Sequence, residues 1–169
     1  MKKVLSLLSM TLLMSSLISP SVRADESMTV NIKRLSMETA LRIAQAAIQA
    51  CRKEGVQVGV TVVDRGGHAQ VVLRDVLAMD LTLRISQQKA YTAMAFNAPT
   101  SSLEGRFKTE GTIAKINGIV FSAGGVPIQA GGMILGGVGV SGAPSGLTDE
   151  KCASAGVKAV TADLEMEGM

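Results

Sequence analysis

The chain of 169 residues carries 17 Lys or Arg against 14 Asp or Glu, and its first 24 residues hold three of the basic residues and no acid. Residues 25–169 therefore have no net charge, which leaves a nucleic-acid partner without electrostatic support. With 18 Gly, no Trp, one Tyr and three Phe in the chain, residues 25–169 are predicted to form a single domain around a core of small side chains.

The N-terminal segment, residues 1–24, is predicted to be a cleaved secretory signal peptide. Lys2-Lys3 precedes an uncharged apolar run at 4–18, and Val22 and Ala24 supply the small residues before the cleavage site. The alternative is a membrane anchor, but the apolar run is shorter than the ~20 residues that a membrane-spanning helix needs. We therefore expect a periplasmic or secreted protein without a membrane span.

The first predicted elements are a helix and a hairpin. Ser36 has the residue type and position of a helix N-cap, and Gly55 is placed to end that helix. From residue 56 onwards, valines alternate with polar or small residues at the two-residue period of a strand. The segment DRGG (64–67) has turn chemistry and is followed by a second apolar run, so residues 56–74 are predicted to form a hairpin.

Two further helices are predicted after the hairpin. The first covers residues 80–96, and one of its faces holds, at steps of three and four, Leu81, Ile85, Lys89, Thr92 and Phe96. Lys89 interrupts this mostly apolar face. A short helix capped by Ser101 or Ser102 is then expected to run towards Phe107.

Three strands and a last helix complete the predicted order. The strands are Ile119–Ala123, Val126–Gln129 and Met133–Ser141, separated by pairs of glycines that suit tight turns. Thr148 is the predicted cap of the final helix, and two acids follow it in the first turn. Because the strands come in hairpin blocks, we predict an α+β fold with an antiparallel sheet of about five strands flanked by helices, in the order α-β-β-α-α-β-β-β-α.

The histidine and cysteine content excludes several common kinds of site. One His and two separated Cys cannot form a typical structural zinc site. A Ser-His-Asp triad could use only His68, and the nucleophile-elbow and P-loop patterns are absent. Cys51 and Cys152 lie on predicted helices, where a disulfide formed in an oxidising compartment and a pair of buried reduced thiols are both compatible with the sequence.

Several polar residues stand where an apolar pattern does not demand them. Arg74 ends a strand, Lys89 and Thr92 share a helical face, and Gly124-Gly125 would present backbone N–H groups beside them. A cation, a hydroxyl and free amides can hold a carboxylate or a phosphate. The alternative is that Arg74 is a solvated charge and Lys89 extends its ammonium to water. Since no nucleophile, base and oxyanion-donor set can be assembled, binding is expected rather than catalysis.

Four segments, in order, resemble the motifs of the GlcG/HbpS-like family. They are VVDRGGHAQVVLRD (62–75), QQKAYTAMAFNAPTSSL (87–103), FSAGGVPI (121–128) and ILGGVGVSGAPSGLTDEKCASAG (134–156). The resemblance, which covers about residues 36–165, implies a profilin-like α+β domain that forms dimers or larger rings. Family members include haem-binding proteins and domains fused to corrinoid enzymes, and many are encoded beside glycolate or diol metabolism. The Gly-Gly-x-Pro-Ile motif adds Pro127 to the candidate ligand-binding residues.

The haem that this resemblance implies needs an axial ligand, usually His, Tyr, Cys or Met. The candidate donors in this chain are His68, Tyr91, Met79 and Met94. We single out His68 and Tyr91, although His68 is expected to be exposed after the turn and Tyr91 can equally be a packed or interface tyrosine. The family commonly has Gly-Ala where this chain has Val76-Leu77, and the bulkier pair should narrow or reshape a pocket there.

Three functions are therefore open. The first is a periplasmic or secreted binding protein for haem or a related tetrapyrrole. The second is binding or turnover of a small carboxylate metabolite at a pocket of Arg74, Lys89, Thr92 and the two glycines. The third is a homo-oligomeric assembly protein without a ligand site. The resemblance favours the first, with a small-molecule ligand, a homo-oligomer and no nucleic acid.

Overall fold

A computed structural model describes residues 27–105 and 116–168 of the chain. The predicted signal peptide lies outside these residues. The regular elements of the described residues all lie within one compact unit, Ile32–Met169. They are α1 (Met37–Lys53), β1 (Gly59–Asp64), β2 (Ala69–Arg74), α2 (Leu81–Phe96), a short 3-10 helix (Thr100–Leu103), β3 (Gly125–Ala130), β4 (Met133–Ser141) and α3 (Gly146–Gly168). Within the described ranges, no helix is long and apolar enough to cross a membrane.

The strands form one antiparallel sheet in the order β2-β1-β4-β3. This confirms the predicted α+β class with an antiparallel sheet. The described elements follow the order α-β-β-α-β-β-α, which differs from the predicted order α-β-β-α-α-β-β-β-α. Strands β3 and β4 are joined by Gly131 and Gly132, whose φ angles of 56° and 73° give the two-residue turn that matches the twist of a hairpin. In the described residues the sheet has four strands and not the predicted five.

The predicted strand at Ile119–Ala123 is wrong, because side chains occupy its backbone donors. The amide of Val120 donates to Thr92 Oγ1 at 3.0 Å, and the amide of Ala123 donates to Glu104 Oε1 at 2.6 Å. Phe121 of this segment packs on the end of α2, with its ring edge-on to that of Phe96 and the two ring centroids 5.5 Å apart. Residues 119–123 therefore form an irregular connection that leads into β3.

Helices cover both faces of the sheet. Helices α1 and α3 pack against each other and share one apolar core with the sheet. Their core partners from the two central strands are Val60, Val62, Val138 and Val140. Helix α2 lies on the opposite face, against β4, β1 and β3. Because both faces are covered, every residue of β1 is buried.

Helix α2 lies close to the sheet because the strand residues beneath it are glycines. A methyl group on Gly139 would overlap the carbonyl oxygen of Ser86, and one on Gly125 would overlap that of Lys89. The helix face that fits this narrow space is made of small and polar side chains: Thr82, Ser86, Lys89, Ala90, Thr92 and Ala93. The predicted inward apolar face is therefore wrong in part, since Leu81 is 47% exposed.

The predicted helix ends hold for α1 and need correction elsewhere. Ser36 accepts a hydrogen bond from the Thr39 amide at 3.1 Å, and Gly55 follows the helix with φ 76°, as the sequence predicted. Helix α3 begins at Gly146, before the predicted cap Thr148. The Thr148 amide donates to the Ser145 carbonyl at 3.0 Å, so Thr148 is part of the first turn.

The helix predicted to run towards Phe107 is a single 3-10 turn preceded by Pro99, and neither serine caps it. Ser102 Oγ instead donates back to the Pro99 carbonyl at 2.7 Å. Phe107 lies outside the described residues.

The structure decides between the disulfide and the two reduced thiols that the sequence left open for the cysteines. Cys51 on α1 and Cys152 on α3 are both buried and form a disulfide, with their Cα atoms 5.4 Å apart. The bond links positions 101 residues apart in the chain and joins the two helices of one layer.

Candidate functional site

Lys89, the cation at the centre of the predicted pocket, is buried in an ion pair. Its Nζ donates to Asp149 Oδ2 at 2.9 Å and to the Val140 carbonyl at 3.1 Å, and only 4% of each charged side chain is exposed. Burial raises the pKa of Asp149, although Lys89 and the Ala143 amide oppose this shift. The ammonium group therefore faces a carboxylate of the chain itself.

The two glycine amides that the sequence left free for a ligand also have partners within the chain. The Gly124 amide donates to Glu150 Oε2 at 3.2 Å, and the Gly125 amide donates to Thr100 Oγ1 at 2.8 Å. Glu150 Oε2 also accepts from the Ser101 amide at 3.0 Å. The N-terminal turn of α3 thus ties the 3-10 turn to the start of β3.

The structure brings Lys89, Thr92, Gly124 and Gly125 together. Thr92 Oγ1 donates to the Gln88 carbonyl at 2.7 Å and accepts from the Val120 amide. Pro127, on the same side of edge strand β3 as Gly125, is half-buried. The polar groups of Lys89, Thr92, Gly124 and Gly125 are hydrogen-bonded to other residues of the chain, and ligand binding by them remains a prediction.

Arg74 is not part of this cluster, contrary to the predicted convergence with Lys89. It ends β2, and two strands separate β2 from β3, a distance of ~14 Å at the usual strand spacing. Its Nη1 donates to the carbonyls of Asp75 and Ala78. The Arg74 side chain therefore holds the loop that follows β2.

The β1–β2 turn presents His68 to solvent. Asp64 Oδ1 accepts from the amides of Gly66 at 2.8 Å and His68 at 3.0 Å, and Asp64 Oδ2 accepts from Arg34 at 3.3 Å. Burial acts to raise the pKa of Asp64, but the two backbone donors and Arg34 outweigh it and hold the pKa below its usual range. Asp64 is therefore an ionised, well-held carboxylate at the base of the turn.

The imidazole of His68 lies beside this carboxylate. Its Nδ1 is 3.4 Å from Asp64 Oδ1, while the side chain is 81% exposed. A carboxylate beside one ring nitrogen is a common support for a histidine that binds metal through the other nitrogen.

Tyr91 and Met94 reach the same turn from α2. A methyl group on Gly67 would lie 2.6 Å from the Tyr91 ring and 3.2 Å from the Met94 methyl group. Tyr91 is 39% exposed. The structure thus places His68 and Tyr91, the two predicted iron ligands, at one turn, although 23 positions separate them in the sequence. Their role as ligands remains a prediction.

Sequence reasoning missed the acids that complete the cluster around Lys89 and Gly124. Asp149 and Glu150 were read as helix-dipole partners, yet they hold Lys89 and the Gly124 amide. Their place at the start of a helix, a few residues after Gly-Val-Ser-Gly (139–142), was the available signal. Within the described residues, no group of three or more His, Cys, Asp or Glu side chains could hold a metal ion.

Comparison with known proteins identifies the fold. Residues 35–158 match the family described as haem degrading protein HbpS-like. The crystal structure of a double mutant of HbpS from Streptomyces reticuli is 40% identical, with a TM-score of 0.75, and the match covers 83% of this chain and 96% of that one. The crystal structure of the PduOC:heme complex is 26% identical, with a TM-score of 0.68, over 75% of this chain and 95% of that one.

Curated sequences give the same assignment. Protein GlcG of Escherichia coli K12 is 32% identical over 109 residues, which are 63% of this chain and 81% of GlcG. The matched segment of the family includes the β1–β2 turn, α2, β3, β4 and most of α3. The chain belongs to the HbpS-like family.

Proposed function

We propose that the protein binds haem or a related tetrapyrrole, as a periplasmic or secreted protein. The observation that carries the proposal is its likeness to a solved haem complex, the PduOC:heme complex, within a family described as haem degrading. The match covers 95% of the PduOC chain, so the likeness extends over that whole domain.

The donor chemistry at the β1–β2 turn fits haem iron. Imidazole and phenolate are both known axial ligands, and His68 and Tyr91 supply them at the same turn. Asp64, 3.4 Å from Nδ1 of His68, would hold the imidazole from that side. The resulting site is exposed, and His68 is the stronger candidate because Tyr91 also packs on Gly67.

The chain's contribution is binding and orientation. Haem, when bound, supplies the iron for redox or oxygen chemistry. His68 would hold the iron, and Asp64 would lie beside the Nδ1 atom of His68. The Gly66-Gly67 turn would let the Tyr91 ring lie close to the backbone. We propose binding rather than turnover because these groups form a ligand and its support.

Export to an oxidising compartment agrees with the disulfide. Such bonds persist in secreted and periplasmic proteins and are rare in the reducing cytosol. The N-terminal pattern of residues 1–24 supports the same location. Fractionation of cells that produce the full chain, followed by mass measurement, tests the proposal, which predicts periplasmic or secreted protein starting at Asp25.

The ligand assignment is tested with absorption spectra of haemin complexes. The Soret band of the wild-type complex should shift or weaken in His68→Ala and less so in Tyr91→Phe. Arg65→Ala is the matched control, since Arg65 is an exposed neighbour on the same turn with no axial donor. A wild-type spectrum in both His68→Ala and Tyr91→Phe would contradict the ligand assignment while leaving haem binding itself standing.

A further inference from the structure

An exposed apolar loop follows β2, at residues 76–79. Val76 is 81% exposed, Leu77 77% and Met79 62%, so three large apolar side chains stand in solvent within four positions. Single exposed apolar residues are ordinary on a folded domain, whereas a contiguous group of them commonly marks an interaction surface. The loop lies at the opposite end of β2 from the His68 turn.

Hydrogen bonds hold this loop in one shape. The Leu77 amide donates to Gln57 Oε1 at 2.9 Å, and the Ala78 amide donates to the Asp75 carbonyl at 3.0 Å. Arg74 Nη1 donates to the carbonyls of Asp75 and Ala78. Because the loop is already ordered, binding through its side chains costs less conformational entropy.

The strand register determines which side chains of β2 face α1. Arg74 pairs with Gly59, and a methyl group on Gly59 would lie 2.6 Å from Thr82 of α2. Since paired residues of neighbouring strands share a face, Arg74 points to the α2 side of the sheet. Successive side chains of a strand alternate between faces, so Leu73 points to the other side, towards α1.

Leu73 and Ile48 line an open groove between α1 and the end of β2. The groove measures about 460 Å³, a volume that accepts a small group of apolar atoms. Gln49, an exposed residue of α1, stands at its rim. Asp75 also lines the groove and directly precedes Val76, so the groove and the loop are adjoining parts of one surface.

The charged residues of this surface cancel one another. Arg52 and Asp75 line the groove and form an ion pair through Arg52 Nε and Nη2. Residues 76–79 carry no charge, and the two other charges that flank them, on Arg74 and Asp80, have opposite signs. Such a surface suits an uncharged apolar partner, whereas docking on an anionic membrane depends on clustered cations.

We propose that a second copy of this chain covers this surface, with Leu77 of each copy in the groove of the other, between Ile48 and Leu73. A protrusion beside a recess on the same chain is self-complementary, which is the condition for a two-fold contact in which one patch serves both copies. The contact involves neither His68 nor Tyr91, so it does not depend on haem binding.

Sedimentation equilibrium of the purified protein without haemin, over a series of protein concentrations, measures the dissociation constant of the dimer. The wild type should dimerise at micromolar concentrations. Leu77→Asp should weaken the dimer at least about thirtyfold, because it places a charge in the apolar centre of the contact. Far-UV circular dichroism checks that the variant keeps the fold.

Met37→Asp is the matched control, since it adds the same charge at another exposed apolar residue. Met37 lies in the first turn of α1, about 20 Å along the helix from Arg52. This variant should change the dissociation constant by no more than about twofold, because salt screens a charge at that distance from the contact.

Cross-linking tests which positions meet in the contact. Leu77→Cys protein and isotope-labelled Gln49→Cys protein, mixed and mildly oxidised, should give a disulfide-linked heterodimer that is identified by its mass. The proposal places these two positions next to each other across the contact. A mixture of Leu77→Cys with Gln87→Cys, which is exposed on α2, is the control and should give a much lower yield.

Three results would overturn the proposal. The first is a wild type that stays monomeric at every concentration. The second is an equal effect of Leu77→Asp and Met37→Asp on the dissociation constant, and the third is an equal yield from the two cross-linking mixtures. A monomeric wild type that sediments with phosphatidylcholine vesicles, while Leu77→Asp does not, would replace the second copy by a lipid surface. None of these results bears on the Soret band of the haemin complex.

Discussion

Lys89 shows how a charged residue in an apolar helical pattern can be structural. The ammonium group is buried with Asp149 and bonded to the Val140 carbonyl. A methyl group on Gly124 would lie 2.6 Å from this nitrogen, so a larger residue there would compete with it for space. The sequence left two alternatives for Lys89: a cation that binds a ligand, or an ammonium group that reaches water. Neither alternative included a buried partner from α3.

Lys89→Ala is predicted to lower the free energy of unfolding by about 3–5 kcal/mol, because it leaves the Asp149 carboxylate buried without its cation. Urea unfolding of the purified variants measures this change. The double variant Lys89→Met with Asp149→Asn should recover much of the loss, since neither charge remains. Lys158→Ala, at an exposed position on α3, is the control and should change stability by no more than about 0.5 kcal/mol. A loss below about 1 kcal/mol in Lys89→Ala would show that the pair is not buried as described.

Asp64 gives the turn a predictable response to acid. Its pKa is lower in the folded state than in the unfolded chain, so its contribution to stability is present above the ordinary carboxyl pKa of about 4. That contribution is lost as the pH falls through the folded-state pKa, where the carboxylate gains a proton.

In Asp64→Asn, the melting temperature should be lower than in the wild type at neutral pH, and the difference should shrink as the pH falls below about 4. Thermal unfolding at a series of pH values between about 2 and 7 measures it. A difference that stays constant across this range would mean that the charge of Asp64 is not what stabilises the turn.

The sequence predicts helices and strands well where apolar residues recur at the period of a helix or a strand. The hairpin at 56–74 and α1 follow from alternation and capping within the sequence itself. The inward face of α2 could not be predicted in the same way, because the glycines that select it lie on β4 and β3, far along the chain. The strand at Ile119–Ala123 was wrong for a related reason, since its donors are taken by Thr92 and Glu104.

The candidate site was predictable in its residue types and not in its grouping. Lys89 and Gly124 do meet, whereas Arg74 lies at the far edge of the sheet. The strand order β2-β1-β4-β3 decides this, and no local pattern encodes it. His68 and Tyr91 were proposed separately as ligands, and only the packing of α2 on the turn brings them to one place.

Gly139→Ala tests the close packing of α2 on the sheet. The new methyl group would overlap the Ser86 carbonyl oxygen, which is backbone and cannot turn away, so we expect a loss of about 3 kcal/mol or more in chemical unfolding. Gly105→Ala is the matched control, because a methyl group there meets no atom within 4 Å. Equal stability of the two variants would contradict the described position of α2.

At the scale of the whole domain, a disulfide joins the two helices on one face of a sheet that is covered by helices on both faces. Cys51 and Cys152 join α1 and α3 within the main core. Large apolar side chains are exposed in the loop after β2, with Val76 81% and Leu77 77% exposed. Val76 and Leu77 are the residues that replace Gly-Ala in the family pattern. Their exposed apolar surface supports a homo-oligomer, which the family resemblance implies and which stays a prediction.

Reduction of the disulfide should lower the free energy of unfolding by about 4–5 kcal/mol, the chain-entropy value for a loop of about 100 residues. Urea unfolding with and without dithiothreitol measures the change. The double variant Cys51→Ala with Cys152→Ala should show the reduced stability and no further response to dithiothreitol. An unchanged unfolding midpoint on reduction of the wild type would contradict the pairing.

The proposal that the protein binds a tetrapyrrole is tested most directly by titrating haemin into the purified wild-type protein and following the Soret absorbance. The account predicts a difference spectrum that saturates at a fixed ratio of haemin to protein and is lost when the protein is unfolded in urea. A signal that rises without saturation, or that is the same with folded and unfolded protein, would contradict it.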